Sequence, residues 1–432
     1  MQGTPNANRL HIAIFGRRNA GKSSLINAIT GQEIALVSEF AGTTADPVYK
    51  AMELLPIGPV VIIDTAGIDD TGNLDELRVA KTREVIGKAD MALLVFSADD
   101  LAPPVFSADG EVPSDFSSEL EWYTLLAKAH IPVIGVLNKC DLGIQDAKAE
   151  FDNISEGVAY NGGSKALADK LDDLEKAFPI PFVKTSIHDP ASIAELKNAL
   201  VKQVPFYEKD TIVSDLFSPG DIVLLVAPQD IQAPKGRLIL PQVQIMRDVL
   251  DHKGLLMTVT TDCLEALLSK LNTPPALVIT DSQVFDQVNA MLPADIPLTS
   301  FSILMARYKG DLGIFTDGAA VIGSLKDGDK VLIAEACTHH ALQGDIGREK
   351  LPSWLRDFTG KNLSITIKTG IDFAEDLTPY SLIIHCGACM FNRKQMMSRI
   401  LLSKNQKVPM TNYGTAIAYM KGILPKVTDR LL

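Results

Sequence analysis

Cysteine is scarce in this chain, which has only five among its 432 residues. So few cysteines exclude the disulfide framework of a secreted protein, and in a reducing compartment a C-x-x-C pair first indicates a metal-binding or redox-active site. The sequence also lacks an apolar run near the roughly eighteen residues that a membrane span requires. Its first residues lack the basic, apolar and small-residue pattern of a signal peptide. We therefore predict a cytoplasmic protein with no membrane partner.

Positive charge is also in deficit, because 41 Lys and Arg are opposed by 53 Asp and Glu and the net charge is −12. Binding along nucleic acid requires clustered Lys and Arg that neutralise phosphates. We therefore predict no broad nucleic-acid surface. What the chain has in quantity is apolar sequence, with 46% hydrophobic and 22% charged residues, a composition that is typical of packed globular domains.

Short apolar runs alternate with helix-length segments along almost the whole chain. This alternation predicts α/β domains with mainly parallel sheets, and the length predicts roughly two to four of them. We take three: an N-terminal domain over 9–204 and two smaller domains over 212–272 and 274–432. A Pro-, Ser- and Asp-rich stretch, 99–118, is typical of a surface insertion. Strands are predicted at 10–15, 60–64, 91–96, 132–138, 181–186, 222–228, 255–261, 276–281, 330–336, 363–368 and 381–385.

A phosphate-binding loop is indicated by the sequence GRRNAGKS, which ends at Ser23, follows a predicted strand and precedes a helical pattern. Its two glycines allow successive backbone N–H groups to converge on phosphates, and the helix adds the positive end of its dipole. Lys22 is expected to reach the terminal phosphates, and the Ser23 hydroxyl is expected to ligate Mg²⁺. The other predicted nucleotide contacts in this loop are Gly16, Asn19, Ala20, Gly21 and Ser24.

Two further elements follow predicted strands and identify the nucleotide. In IIDTAG, Asp64 can hold the Mg²⁺ shell, and the Gly67 N–H can meet a γ-phosphate. The element VLNKCD can read the base, because the Asp141 carboxylate can accept hydrogen bonds from guanine N1–H and N2–H, a donor pair that adenine lacks. The predicted ligand is therefore GTP, and the predicted base-reading residues are Asn138, Lys139 and Asp141.

The order and spacing of these elements are typical of translation-factor-related GTPases. Between them, the loop AGTTADP supplies a threonine hydroxyl for Mg²⁺, which we assign to Thr44. The tripeptide TSI lies where such proteins brace the base, which makes Ser186 a candidate contact.

Hydrolysis is expected to be slow without activation, because Ile68 occupies the position after D-x-x-G where a water-orienting Gln would lie. The sequences GRRNAGKSSLINAITG and AGTTAD resemble the potassium-activated branch typified by the tRNA-modification GTPases. That resemblance implies that Asn19 helps to bind a K⁺ ion in place of an arginine finger. It also implies that Glu76 orients the attacking water, although Ala45 stands where that branch usually has Arg; the alternative for Glu76 is a solvated charge on a helix. The catalytic candidates are Lys22, Thr44, Gly67 and Glu76.

Three of the five cysteines lie at the ends of two apolar strand-like runs. The motifs are C-x-H and HC-x-x-C, with 45 residues between their histidines, a gap that allows one crossover helix and a further strand. Both motifs can then meet at the carboxyl edge of one parallel sheet. Three thiolates there suit either tetrahedral Zn²⁺ with a histidine as the fourth ligand or a 4Fe-4S cluster with one iron open to another ligand. The candidate ligands are Cys337, His339, His385, Cys386 and Cys389.

The combination of the GTPase motifs, APKGRLILPQV, VITDSQ, the two cysteine motifs and PMTNYG at 409–414 resembles the FeFe-hydrogenase maturation GTPases of the HydF family over residues 9–425. The resemblance implies a homodimeric GTPase scaffold with a middle dimerisation domain and a C-terminal domain that binds a 4Fe-4S cluster through three cysteines. It implies that radical-SAM maturases load a transient two-iron precursor, which is then delivered to apo-FeFe-hydrogenase. The fourth cluster ligand differs among members, and the candidates here are His339, His385, Glu335 and an exogenous group.

Two other functions are compatible with parts of the sequence. A potassium-dependent RNA-modification or ribosome-assembly GTPase with a structural zinc site would use the same N-terminal domain, but it would be colourless and would need a basic face. A GTPase-linked disulfide reductase would use Cys386 and Cys389 and would leave Cys337 without a role.

Overall fold

Apolar strands flanked by helices build both units of the chain, Met1–Phe206 and Tyr207–Leu432. The structure is a computed structural model and describes residues 4–31, 47–65, 75–98, 106–107, 110–111, 116–141, 171–205, 211–228, 238–336, 345–370 and 373–432. Within these residues, no helix is long and apolar enough to cross a membrane.

The N-terminal unit contains one six-stranded sheet in the order β2-β3-β1-β4-β7-β8. Only the pairing of β2 with β3 is antiparallel, and the other strands run parallel. A separate antiparallel pair, β5 and β6, lies within the predicted insertion. The strands are β1 (Leu10–Gly16), β2 (Val48–Leu54), β3 (Gly58–Asp64), β4 (Met91–Ser97), β5 (Phe106–Ser107), β6 (Gly110–Glu111), β7 (Val133–Asn138) and β8 (Phe182–Lys184).

Helices cover both faces of this sheet, which is why its central strands are apolar on both sides. Ile12 and Ile14 of β1 face one core, and Ala13 and Phe15 face the other. Burial of a large apolar side chain such as Ile12, Ile14 or Phe15 stabilises the fold by roughly 1.5–3 kcal/mol. The helices are α1 (Lys22–Thr30), α2 (Asp75–Lys88), α3 (Ser117–Lys128), α4 (171–177) and α5 (Pro190–Gln203).

The C-terminal unit has two four-stranded parallel sheets, whose buried side chains belong to one continuous core. The first has the order β10-β9-β11-β12. The predicted boundary between the second and third domains lies at 272–274. Because β11 pairs with β9, this sheet contains strands from both sides of that position. The division of the chain into three domains stays a prediction. Its strands are β9 (Ile222–Val226), β10 (Leu255–Val259), β11 (Leu277–Thr280) and β12 (Leu298–Ser300).

The second of these sheets has the order β14-β13-β15-β16. Its strands are β13 (Lys330–Glu335), β14 (Ser364–Thr369), β15 (Leu382–His385) and β16 (Met410–Asn412). The helices of this unit are α6 (Leu240–Asp251), α7 (Leu264–Leu268), α8 (Phe285–Met291), α9 (Phe301–Lys309), α10 (Leu312–Ala320), α11 (Leu351–Thr359), α12 (Arg393–Asn405), α13 (Tyr413–Met420) and α14 (Leu424–Thr428). The predicted fold class is confirmed: an N-terminal α/β domain is followed by α/β regions with parallel sheets.

Strand register brings the end of β13 and the HC-x-x-C motif after β15 to one edge of the β14-β13-β15-β16 sheet. Ala334 lies opposite His385, which in turn lies opposite Asn412. Because all four strands are parallel, the chain leaves them at the same edge. Glu335 and Cys386 are therefore neighbours although fifty positions separate them in the sequence.

Gly318 allows helix α10 to lie directly against β16. A Cβ atom at this position would overlap the Met410 carbonyl and come within 3.1 Å of the Thr411 nitrogen. Because both atoms belong to the backbone of a buried strand, they cannot move aside without disturbing the sheet edge.

We therefore expect Gly318→Ala to lower the free energy of unfolding of the C-terminal unit by about 1–3 kcal/mol or more. The control is Gly313→Ala in the same helix, where the nearest atom is the Asp311 carboxylate oxygen at 3.3 Å; this change should be neutral or stabilising by up to about 1 kcal/mol. Urea unfolding followed by Trp354 fluorescence in a Trp122→Phe background measures both. Equal effects of the two substitutions would contradict the packing argument.

Candidate functional site

The phosphate loop joins β1 to α1 through residues with left-handed backbone angles. Gly16 has φ +155°, Asn19 has φ +63° and Gly21 has φ +85°. A Cβ atom at Gly16 would lie 2.5 Å from the Val95 carbonyl oxygen, and one at Gly21 would overlap the Asn138 amide nitrogen. The loop therefore needs both glycines for its curvature and for its contact with neighbouring strands.

The Lys22 side chain is buried against this loop. Its Nζ donates to the Gly16 carbonyl and, at 2.9 Å, to the Arg17 carbonyl. The Ser23 hydroxyl donates to Asp64 Oδ2 at 3.1 Å. Oxygen ligands are what Mg²⁺ prefers, so the loop hydroxyl and the carboxylate at the end of β3 lie together as the sequence predicts for a magnesium site.

An open pocket near the ends of β7 and β8 contains Asp141, which is predicted to read the base, and Ser186, which is predicted to brace it, in its wall beside Thr185 and Ser192. The Ser186 N–H donates to Ser192 Oγ at 3.1 Å, and its own Oγ accepts from the His188 N–H at 3.1 Å. These bonds fix the part of the pocket wall that contains Ser186.

Asn138 connects the phosphate loop to the two strands beside the base pocket. It is 1% exposed, its Nδ2 donates to the Ala20 carbonyl at 3.0 Å, and its Oδ1 accepts from Thr185 Oγ1 at 3.1 Å. Its amide therefore positions the loop. The next residue, Lys139, has φ +60°, so the chain turns sharply between Asn138 and Asp141.

An ion pair between Arg17 and Glu119 was not foreseen from the sequence. Two guanidinium nitrogens of Arg17 donate to the two carboxylate oxygens of Glu119, at 2.6 and 2.9 Å. Glu119 is buried on α3, just after the predicted insertion, and a bidentate pair fixes orientation as well as distance. Its sequence signal is weak, since Glu119 resembles any charge in the first turn of a helix.

Several predicted residues lie outside the part of the chain that the structure describes. In the N-terminal unit these are Thr44 and Gly67, together with the side chain of Glu76, whose backbone lies in α2. In the C-terminal unit they are Cys337 and His339. Within the described ranges, no three His, Cys, Asp or Glu side chains form a group that could hold a metal ion.

Cys386 lies directly after β15 and faces the end of β13. The Ala336 N–H donates to Cys386 Sγ at 3.1 Å, and the Cys386 N–H donates to the Ala334 carbonyl at 2.9 Å. Ala388, with φ +51°, turns the chain back, so that Cys389 follows in the same short loop. Burial raises the pKa of the Cys389 thiol, and the charge of Lys309 opposes this shift.

Helix α12 begins immediately after this loop. Asn392 accepts a hydrogen bond from the Gln395 N–H at 2.9 Å, and the Gln395 side chain accepts from the Asn392 N–H at 3.0 Å. This capping box fixes the helix N-terminus. The positive end of the helix dipole favours negative charge nearby, which suits a loop with two cysteines.

His385 is fully buried, and both of its ring nitrogens have hydrogen-bond partners. Nδ1 lies 2.9 Å from the Cys386 carbonyl, and Nε2 lies 2.8 Å from Arg399 Nη1. A guanidinium can only donate, so Nε2 accepts and Nδ1 bears the proton. Burial, followed by the Arg399 charge, lowers the pKa of His385 to about 3. In this arrangement neither nitrogen has a lone pair for a metal, which argues against His385 as a ligand.

Two buried cations near the cysteine loop were also missed by sequence reasoning. Arg399 donates to His385 and, at 2.7 Å, to the Gly370 carbonyl, while its guanidinium lies 4.4 Å from the ring centroids of Phe373 and Phe391. Lys309 donates to carbonyls of the cysteine loop. Burial lowers the pKa of Lys309 to about 8, against the opposing influence of Cys389 and Cys386. Neither cation belongs to a sequence motif.

Glu335, the other side chain proposed as a fourth ligand, is buried at the end of β13. Its Oε2 accepts from Arg348 Nη2 at 3.1 Å and from Nε at 3.3 Å. The carboxylate is therefore neutralised by an arginine and lies on the same sheet edge as Cys386.

Three family models match the chain. Residues 313–430 match the hydrogen maturase F tetramerization domain, and residues 212–310 match the hydrogen maturase F dimerization domain. Residues 11–139 match the 50S ribosome-binding GTPase model, a range that includes the phosphate loop, Asp64 and Asn138.

Individual relatives match only part of the chain. Over 141 residues it is 38% identical to the tRNA modification GTPase MnmE of Desulfotalea psychrophila. This match covers 32% of this chain and 27% of that protein. Over 156 residues it is 33% identical to the GTPase Der of Sulfurimonas denitrificans. This match covers 35% of this chain and 28% of that protein. The chain thus spans little more than a quarter of the length of these relatives.

Among solved structures, an Aquifex aeolicus Era variant bound to GDP and aluminium tetrafluoride is 17% identical. The match covers 84% of this chain and 94% of that one, with a TM-score of 0.34 that is too low to bear on the fold.

The phosphate loop, the Ser23–Asp64 pair and the base pocket agree with the GTPase model and with the GTPase relatives, so the chain is a GTP-binding GTPase. The two hydrogen maturase F models together cover just over half of the chain. The chain therefore belongs to the hydrogen maturase F (HydF) family of hydrogenase maturation GTPases.

Proposed function

We propose that this protein is a GTP-hydrolysing scaffold that binds a 4Fe-4S cluster through Cys337, Cys386 and Cys389. On this scaffold a two-iron precursor, its cargo, would be assembled and then transferred to apo-FeFe-hydrogenase. The observation that supports the cluster site best is the 3.1 Å hydrogen bond from the Ala336 N–H to Cys386 Sγ. Ala336 directly precedes Cys337, and consecutive Cα atoms are about 3.8 Å apart, so covalent geometry allows a third thiolate to reach the cysteine pair.

The described residues fit a cluster with three protein thiolates. Cys386 and Cys389 lie on one loop and form no disulfide with a described cysteine. A helix N-terminus follows them, and Lys309 and Arg399 bring positive charge to an otherwise apolar surrounding. Hydrogen bonds to sulfur and nearby positive charge stabilise anionic thiolate-bound clusters. When bound, such a cluster supplies an iron with an open coordination position. Glu335, His339 or an exogenous ligand remains as the candidate for that position.

At the GTP site, we propose that Lys22 replaces its hydrogen bonds to the loop carbonyls with hydrogen bonds to the terminal phosphates when GTP binds. Ser23, Asp64 and Thr44 would bind Mg²⁺, and the Gly67 N–H would meet the γ-phosphate. Asn19 would help to bind K⁺, whose charge would stabilise the transition state in place of an arginine finger, and Glu76 would orient water. Hydrolysis would control partner exchange or loading and would not itself build the cluster.

The matched dimerization and tetramerization domains support an oligomer. We propose a homodimer that forms through the β10 edge of its sheet. A parallel sheet is normally covered on both faces and protected at its edges. Here Leu255 on β10 is 54% exposed, and Val243 and Leu250 on α6 are 47% and 53% exposed. A second copy of the chain would cover these side chains.

Apo-FeFe-hydrogenase and the radical-SAM maturases are the proposed partners, and the cytoplasm, where thiols stay reduced, is the proposed location. The potassium-dependent RNA-modification or ribosome-assembly alternative has support only from matches to GTPases. It leaves the matched region 212–430 without a role.

Metal analysis distinguishes the proposed cluster from a zinc site. We expect protein purified without oxygen to be brown and to hold about four irons per chain with equivalent sulfide. Cys386→Ser should lose most of this iron. The control is Cys263→Ser, which removes an exposed cysteine and should leave iron content unchanged. Stoichiometric zinc, or full iron occupancy in Cys386→Ser, would contradict the proposal.

The base pocket is tested by Asp141→Asn. The substitution removes the acceptor for two guanine N–H groups and leaves an amide that complements xanthine, so we expect GTP affinity to fall by roughly 10- to 100-fold and affinity for xanthosine triphosphate to rise. Asp189→Asn is the control, because Asp189 lies in the same pocket and caps α5, and Asn caps equally well. Nucleotide titration measures both variants, and unchanged GTP affinity in Asp141→Asn would refute the assignment.

The potassium hypothesis predicts that replacing K⁺ with Na⁺ slows GTP hydrolysis severalfold while GTP affinity stays the same. Asn19→Ala should abolish the difference between the two ions, because it removes the proposed ligand. Steady-state phosphate release in matched KCl and NaCl buffers provides the measurement. A hydrolysis rate that does not depend on the ion would exclude a role for K⁺ at Asn19.

A further inference from the structure

Lys309 ends helix α9 with its side chain inside the protein, 2% exposed. Its Nζ lies 2.8 Å from the Phe391 carbonyl and 3.2 Å from the carbonyls of Ala388 and Cys389. An ammonium group has three N–H donors. All three are therefore used on one short stretch of backbone, the loop that contains Cys386 and Cys389.

The positive charge of Lys309 is unusual at a buried position. Lysine is almost never fully buried unless it is paired, because an isolated ammonium is costly to remove from water. Yet no carboxylate among the described residues bonds to Lys309. Carbonyl dipoles compensate part of the charge, and the thiols of Cys389 and Cys386, when ionised, would favour the charged form of Lys309.

Lys309 also joins two segments that match different models. The helix that it ends belongs to the segment matched by the dimerization domain, residues 212–310, whereas the cysteine loop belongs to the segment matched by the tetramerization domain, residues 313–430. A second hydrogen bond also connects these two segments, since Arg393 Nη1 donates to the Tyr308 carbonyl at 2.6 Å. The end of α9 is therefore attached both to the loop itself, from Ala388 to Phe391, and to the first residue of the helix that follows it, Arg393.

We propose that Lys309 is the positioning residue of the cysteine loop: its three hydrogen bonds fix the conformation from which Cys386 and Cys389 bind the cluster, and its charge offsets theirs and raises the reduction potential of the bound cluster. The second half of this statement rests on the proposed function. In the first half, the hydrogen bonds and the loop conformation belong to the protein without metal, and only the binding of a cluster from that conformation rests on the proposed function.

The loop is tested first in the metal-free, full-length protein by hydrogen exchange. The Phe391 N–H donates to the Ala388 carbonyl at 3.0 Å within the loop, so its exchange reports loop opening. We expect Lys309→Met to speed exchange there by at least about tenfold, because the loop loses three hydrogen bonds to one side chain. Lys404→Met, which removes an exposed charge from α12, is the control and should leave this amide unchanged.

The charge is tested in protein reconstituted with iron and sulfide, by a redox titration followed with electron paramagnetic resonance. At a fixed potential we expect Lys309→Met to raise the ratio of oxidised to reduced cluster about tenfold, which for one electron is about 59 mV toward more negative potential. Lys309→Gln keeps two donors and loses the charge, so it should shift the potential similarly while exchanging more slowly than Lys309→Met. Lys404→Met should shift it little.

The outcomes separate the two parts of the proposal. Unchanged exchange at Phe391 in folded Lys309→Met overturns the positioning role, whether or not a cluster binds. An unchanged potential in both Lys309 variants overturns the role of the charge. If the wild-type protein binds no cluster, the proposed function fails, and the exchange result for Lys309 still stands by itself.

Discussion

The parallel pairing of β13 with β15 is the constraint on which the cysteine site depends. Its register sets Ala334 opposite His385, and this places the Ala336 N–H against Cys386 Sγ. A slip of one residue would turn Cys386 to the other face of the sheet. His385 opposes such a slip, because it would leave the buried ring and the Arg399 guanidinium without each other as partners. The histidine of HC-x-x-C thus has a structural reason to precede the cysteine without binding a metal.

The same rule builds the nucleotide site from different strands. Gly16, Asp64 and Asn138 each end a strand of one sheet, and because β1, β3 and β7 run in the same direction, their ends lie at one edge. The two loops differ in the side chains that hold them to the rest of the protein. The nucleotide loop is held from outside by the Asn138 amide and by Glu119 through Arg17, whereas the cysteine loop is held by buried cations. In both cases the side chains that hold the loop bond to its carbonyls or side chains and not to its backbone N–H groups.

Sequence patterns predicted the strands that are buried on both faces and also the partly exposed strands β8, β10 and β14, but they missed β2, β12, β16 and the short pair β5 and β6. The runs that became β1, β4, β7 and β13 were located to within a residue or two, since a continuous apolar run of this length between turn residues is typical of a buried strand. The missed strand β2 is an antiparallel edge strand whose residues are mostly exposed. The missed strands β12 and β16 have three residues each and run directly into helices, so the helical pattern that follows conceals them. The order of the strands along the chain also does not reveal that β11 pairs with β9. Because of this pairing, the sheet continues past the predicted boundary.

At the site, motifs predicted the candidate ligand-binding residues and missed most of the residues that hold the two loops in place. Lys22 was predictable because its partners are neighbours in the chain, at Gly16 and Arg17. Lys309 has equivalent bonds to loop carbonyls, but they cross about eighty positions in sequence, so no local pattern records them. The two lysines also differ in consequence. The bonds of Lys22 lie beside a ligand site and can be exchanged for phosphate oxygens, whereas Lys309 has all its donors on the backbone of the loop and can contribute only its position and its charge.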